Sequence, residues 1–261
     1  MTQAPIAEPA FPGLFEAMGA WFESPLGREL LKTESSLLES LLLRRFGYHL
    51  LQVGCSNIAM YGSSPIGHKF SLVPDPHNAL HMAVAKVEAL PLASESIDLV
   101  LLHHALDFSG NQHQLLREAS RILIAGGHIL IVGFNPLSSW GIRNKIPWQE
   151  RIPWNARLLS TLRISDWLKL LDFQVERIDY GAYFLPWNNS RAVRYSALIN
   201  TPAARLNWPT GGIYVISAKK QRAPLTPIRN EWKTFPVAVG LPVTDNVAGV
   251  SNIHSQSQQQ E

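Results

Sequence analysis

Two apolar runs, residues 97–102 and 128–134, bracket a segment with helical spacing. Leu115, Leu116, Ala119, Ile122 and Leu123 recur on one face of it, and Arg117, Glu118 and Arg121 on the other. Short runs nearly free of polar residues are typical of strands covered on both faces, as in parallel sheets. The spacing therefore predicts a strand, a crossover helix and a second strand, with Asn111 as the N-cap and Gly126-Gly127 as the left-handed stop. A right-handed crossover makes the two strands parallel. Their carboxyl ends, His103-His104 and Phe134-Asn135-Pro136, then lie at the sheet edge where ligands bind.

The same reading extends outward. Residues 48–53 form a first strand that opens into Gly54-Cys55-Ser56-Asn57, and residues 69–73 form a second. Residues 15–46 are helical, broken near Ser24-Pro25 and ended by Gly47, with Leu30, Leu31, Leu37, Leu38, Leu41 and Leu42 at helical spacing. This leucine-rich stretch packs on the sheet or serves a partner or membrane surface. Downstream, Ser165 caps a short helix over 166–171, strands follow at 173–183 and 212–218, and a short helix is expected at 192–199. The first twelve or so residues, with Pro5, Pro9 and Pro12, form a flexible lead. Beyond Lys220 the chain is rich in Pro, Ser, Gln and Asn without periodicity, as a loose tail would be.

Composition narrows the class. The 261 residues, 46% hydrophobic and 16% charged, support a globular domain with a sizeable core and exclude a disordered chain. A net charge of +3 is too small to imply nucleic acid without a local basic patch. Cys55 stands alone, so no intrachain disulfide forms and a reducing compartment fits. With no obvious paired base, it reads as a small buried residue rather than a nucleophile. The opening MTQAPIAEPAFPG has neither the basic start nor the apolar core of a secretory signal, and no run reaches the length of a membrane span. A cytoplasmic protein is expected.

His103 and His104 are the candidates for proton transfer, having an ordinary pKa near neutrality. The alternative is a satisfied polar loop. Adjacent residues of a strand point to opposite faces, so at most one should face the cleft. His77 and His81 have i, i+4 spacing but no accompanying carboxylate or cysteine cluster, and no metal is expected. Asp98 reads as structural.

The phrases EALPL (88–92), SIDLVLLHHAL (96–106), LLREASRIL (115–123) and AGGHILI (125–131), in that order, resemble the class I S-adenosylmethionine (SAM)-dependent methyltransferases. The likeness is to the type 11 methyltransferase domain, in a divergent bacterial branch. It extends from about residue 50 to 134 and more loosely over 166–219. It implies an α/β, Rossmann-like, seven-stranded and mostly parallel sheet with helices on both faces and an antiparallel last strand. It also implies SAM as cofactor and methyl transfer as the reaction. Carried over by position, Gly54 and Ser56 meet the methionine end, Asp75 the ribose, and the backbone of Val87 and Glu88 the adenine, with His103 beside the cofactor. Departures are visible. Gln52 takes an acidic place, only Gly54 remains of three loop glycines, and Lys86 replaces a second acid. The chain between the first strand and EALPL is short enough that one crossover helix must be truncated or missing. Phe134-Asn135-Pro136 does not match the amino-methylating motif, and that chemistry is not transferred.

The resulting organisation is an N-terminal helical extension (1–46), a methyltransferase domain (47–220) and a tail (221–261). Residues 138–170 carry Trp140, Trp148, Trp154 and Trp167 among six basic and two acidic residues. They are expected to form a lid selecting an anionic small-molecule acceptor, or else a packed surface with solvated charges. Nucleic acid is the less favoured acceptor. The rivals are a non-catalytic binding or assembly module on a degenerate methyltransferase fold, and an RNA methyltransferase.

Overall fold

The computed structural model describes residues 12–56, 58–73, 83–84, 89–144, 156–186 and 206–221, all within one compact unit. The expected short helix at 192–199, the tail, His77 and His81 lie outside the described residues.

Seven strands form one sheet: β1 (His49–Gly54), β2 (His68–Val73), β3 (Ala83–Val84), β4 (Ile97–His103), β5 (Leu123–Phe134), β6 (Phe173–Gly181) and β7 (Ile213–Lys220). Their order is β3-β2-β1-β4-β5-β7-β6. The first five are parallel, and β7 runs antiparallel between β5 and β6. The strand order reverses between β1 and β4, and there the carboxyl ends of two adjacent parallel strands open a crevice.

Strand alternation sorts the core into two layers. Leu51, Val53, Val100, Leu102, Ile129, Ile131 and Ile216 face α4 (Gln112–Ile122) and α6 (Thr161–Leu170). Leu50, Leu99, Leu101, Leu130, Val132 and Val215 face the other way, onto Leu38, Leu41 and Leu42 of α2 (Pro25–Leu42). The leucine-rich extension is therefore core packing. Ser24 starts α2 by accepting a hydrogen bond from Gly27 N at 3.0 Å, with Pro25 at the first helical position. Ahead of it runs α1 (Pro12–Phe22).

The expected missing crossover helix is the one between β1 and β2, since none of the described residues of 55–67 is helical. Gln52, in the acidic place of the resemblance, holds this connection down. Its Nε2 donates to Ile58 O at 2.7 Å and its Oε1 accepts from Met60 N at 2.8 Å. Met60 and Ile66 then cover the same sheet face as α2, which fills the space a crossover helix would occupy.

Three local expectations are corrected. Gly126-Gly127 does not stop α4: the helix ends at Ile122 and Leu123 already pairs with Ile97 as the first residue of β5. The glycines instead sit in a β4–β5 register shift, where Gly126 adopts φ 86°. The helix given to Ser165 begins earlier, at Thr161, because Ser160 caps it by accepting from Arg163 N; the Ser165 hydroxyl bonds Thr161 O within the helix. Third, α1 starts at Pro12, inside the expected flexible lead. Asp98 is structural as expected, with Oδ2 accepting from Tyr48 N and His49 N at the foot of β1. Among the described residues, no helix is long and apolar enough to cross a membrane.

Candidate active site

At the carboxyl ends of β1 and β4, four ionisable side chains meet out of contact with solvent: Glu34 from α2, His103 from β4, His104, and Asp107 from α3 (Ala105–Phe108). Glu34 spans both histidines, with Oε2 2.9 Å from His103 Nε2 and Oε1 2.7 Å from His104 Nε2. Asp107 Oδ2 lies 2.8 Å from His104 Nδ1 and also accepts from Phe134 N at 3.0 Å. The cluster thus ties the extension to β4, α3 and β5.

The expectation that the two histidines point to opposite faces is overturned. His104 follows the last residue of β4 and takes a left-handed backbone, φ 53° and ψ 12°. That turn swings its ring onto the side already occupied by His103, so both reach one carboxylate. Phe22 of α1 closes over them, with its ring stacked 5.8 Å from His103 and tilted 6.2 Å from His104. Met18, Leu26, Cys55, Phe134 and Trp140 complete this apolar cap. Cys55 is small and buried, and burial pushes its thiol well up, away from nucleophilic character.

Protonation follows from the contacts. Burial opposes ionisation of Glu34, but the field of His104 and hydrogen bonds from both histidines outweigh it and hold the carboxyl at about 2. Burial likewise disfavours charge on His104, yet Glu34 and Asp107 raise it to about 9. His104 is therefore an imidazolium at neutral pH, engaged at both nitrogens. His103 goes the other way: burial lowers it, and the Glu34 bond only partly compensates. Asp107 is raised, chiefly by burial. Glu34, His103 and His104 offer ligand atoms within 4.8 Å of one another, close enough for a metal ion. Each histidine Nε2 also lies within hydrogen-bond distance of the Glu34 carboxylate.

Gly54 ends β1, pairs with His103 across to β4, and a Cβ built on it would come no closer than 3.5 Å to any neighbour. A side chain there would begin in ordinary contact with Gln52, His103 and Ser56, and its absence leaves the backbone bare, as a cradle for the methionine end of SAM requires. Ser56 Oγ, next along, is buried without a hydrogen-bond partner among the described residues, as are His103 Nδ1 and Asp107 Oδ1. A bare glycine backbone at this strand end, with orphaned polar atoms on Ser56, His103 and Asp107, fits a polar, charged ligand. Asp75, Val87 and Glu88 lie outside the described residues.

The segment 138–170 divides. Trp140, on α5 (Ser139–Asn144), is buried and donates to Phe184 O at 2.8 Å. Trp167, on α6, packs against His113 of α4 with ring centroids 3.7 Å apart. Arg157 is tied to the site's rim: its N donates to Asp107 O at 2.7 Å and its Nη1 to Gly110 O at 3.2 Å. Trp148, Trp154, Lys145 and Arg151 lie outside the described residues. Asn135 is fully engaged in structure, donating to Pro209 O and Gly211 O and accepting from Leu137 N.

Glu34 and Asp107 escaped sequence reasoning. The signal for Glu34 was present, a lone carboxylate in the i, i+4 series Leu26, Leu30, Glu34, Leu38, Leu42 that otherwise builds a buried stripe. A charge in such a stripe needs a buried partner.

Residues 63–131 match the sequence profile of a family described as a methyltransferase domain. The uncharacterized protein YafS of Escherichia coli is 32% identical over 226 residues, covering 82% of this chain and 86% of that protein. Among solved structures, a SAM-dependent methyltransferase of Thermotoga maritima, a possible histamine N-methyltransferase, superposes with a TM-score of 0.63 at 20% identity, over 81% of this chain and 98% of that one. A putative methyltransferase of Haloferax volcanii, in complex with the Trm112 activator, gives 0.57 at 16% identity, over 82% and 99%. The sheet order and the glycine-bearing edge of β1 are those of the class I fold. The chain belongs to one family with YafS, carries the methyltransferase-domain profile, and has the fold of the class I SAM-dependent methyltransferases. The domain profile and the fold support SAM as its cofactor.

Proposed function

We propose that the enzyme methylates a small acceptor with an anionic or phosphate-bearing body, held between the β1–β4 edge and the first part of 138–170. The observation that carries this reading is the buried Glu34–His103–His104–Asp107 cluster beside Gly54, a charged and preorganised arrangement where the methyl group must be delivered. Positioning supplies most of the acceleration in such a displacement, so the chain's main task is to hold two reactants in line. Gly54 and Ser56 would take the methionine end, Asp75 the ribose hydroxyls, and the backbone of Val87 and Glu88 the adenine. His103 and His104 are the candidates for proton transfer. Arg157, whose backbone is tied to Asp107, supplies positive charge for the acceptor's body. A cytoplasmic site of action is in keeping with the single cysteine.

Calorimetric titration of the full chain with SAM and with its demethylated product is the test. Affinities on the order of micromolar are expected for both. Absence of binding at millimolar cofactor would remove the methyl-transfer reading and leave a binding module.

A further inference from the structure

The two histidines of the cluster are chemically unlike. Both nitrogens of His104 face carboxylates, at 2.7 and 2.8 Å, so it has no lone pair to offer. His103 uses only one nitrogen. Its Nε2 lies 2.9 Å from Glu34, an ionised carboxylate that can only accept, so Nε2 carries the proton. In a neutral ring Nδ1 is then bare, and it is buried with no hydrogen-bond partner among the described residues. A bare ring nitrogen left unsatisfied in a sealed site is costly unless a ligand completes it. The ring also stands beside the cofactor cradle. His103 is the register partner of Gly54, and its carbonyl accepts from Cys55 N at 3.3 Å.

We propose that His103 is the catalytic base of the methyl transfer, taking the acceptor's proton at Nδ1, with Glu34 as the positioning residue that keeps the opposite nitrogen protonated. This rests on the SAM-dependent reading above and deepens it by naming the acceptor's chemistry. The attacking atom's lone pair forms the bond to the methyl carbon, the carbon–sulfur bond breaks with its electron pair left on sulfur, and the acceptor's proton passes to Nδ1. The imidazolium so formed is held by Glu34. An acceptor that is already anionic at the attacking atom, such as a carboxylate or thiolate, has no proton to lose. An amine acceptor arrives at neutral pH as its ammonium, and a weakly basic buried imidazole takes little of that proton before attack. For a neutral hydroxyl such a base suffices, because the oxygen becomes strongly acidic as the new bond forms. The acceptor class that fits this base is a hydroxyl on a molecule whose charge lies elsewhere.

The experiment is long-range ¹H–¹⁵N NMR of the full chain labelled at histidine, assigned with His103→Gln and His104→Gln. It is recorded as a pH titration of the free protein and of the protein saturated with SAM or with its demethylated product. The free protein at neutral pH should show His103 neutral with its proton on Nε2, and His104 doubly protonated. SAM and its product differ by one methyl group and one positive charge. If Nδ1 faces that charge, His103 should titrate about half a pH unit or more lower with SAM than with the product, and His104 should move less. In Glu34→Gln the fixed tautomer should be lost, with the Nδ1-protonated form gaining population. A proton on Nδ1 of the free protein overturns the proposal, as does equal titration of His103 with both ligands bound. Without a base at this position, the hydroxyl assignment falls with it. Failure of either ligand to bind in calorimetry would instead sink the methyl-transfer reading itself, so the two failures are separate.

Discussion

Gly54 and Glu34 place opposite demands on substitution. At Gly54 the fold accepts a Cβ in ordinary van der Waals contact, the nearest atom being Gln52 Nε2 at 3.5 Å. Gly54→Ala should therefore fold with nearly unchanged urea stability while losing cofactor affinity about tenfold, because its methyl enters the space the ligand's backbone contacts need. Parent-like affinity in calorimetry would take this loop out of the site. At Glu34 the fold leaves no room for a change of charge. Glu34→Leu keeps the apolar stripe of α2 continuous but strands the His104 imidazolium with Asp107 alone. Removing one partner of a buried pair costs about 3–5 kcal/mol, to be read from urea denaturation at neutral pH. Glu34→Gln retains an acceptor and should cost less. A leucine variant as stable as the parent would show that the cluster contributes no net stability.

At the level of elements, the central strand–helix–strand was legible because burial on both faces of β4 and β5 leaves an uninterrupted apolar run, and α4 keeps a strict apolar face. Element ends were less legible, since Gly126-Gly127 carries the same local signal for a helix stop and for a strand bulge. Tertiary pairing with Ile97 decides between them. The site was half visible. His103 and His104 follow from the strand-end rule, whereas their convergence depends on one left-handed residue and on a carboxylate 69 positions upstream, which no local pattern encodes. That one crossover helix is missing was legible from length alone, but not which one or what replaces it. Gln52 anchors that replacement through two buried hydrogen bonds to Ile58 and Met60. Gln52→Ala should destabilise by roughly 1–3 kcal/mol, the cost of leaving buried backbone groups unpaired. Its amide exchange should accelerate first at residues 58–60, where the connection comes free of the sheet. Uniform acceleration across the domain would mean that the loop is held by packing instead.

For the whole molecule, the cluster works as a clasp joining the N-terminal helices to the catalytic edge, and its strength depends on pH. Glu34 and His104 are shifted in opposite directions by one shared interaction, so their stabilisation is counted once. The alkaline limb is the cleaner of the two. A histidine raised to about 9 in the folded state and near 6.5 when unfolded contributes stability that is fully present below pH 6.5 and is lost as pH rises through about 9. A shift of this size corresponds to roughly 3 kcal/mol. On the acid side the terms conflict. Glu34, lowered to about 2, contributes stability that is lost as pH falls below the ordinary carboxylate range toward 2. His103, lowered by burial, acts in the same direction: the unfolded state takes up its proton first, so the stability it contributes above the ordinary histidine range is lost as pH falls. Asp107, raised chiefly by burial, works against both by favouring the protonated form. Urea unfolding at pH 6, 7.5 and 9 should therefore show a steady fall in stability for the parent protein. His104→Gln, which has no proton to lose at this position, should start lower and fall less across the same interval. Cys55 is pushed well up by burial, so its thiol ionises first in the unfolded chain and adds a small fall near pH 9 that the two proteins share. A parent profile parallel to that of His104→Gln between pH 6 and 9 would mean that the imidazolium does not hold the clasp.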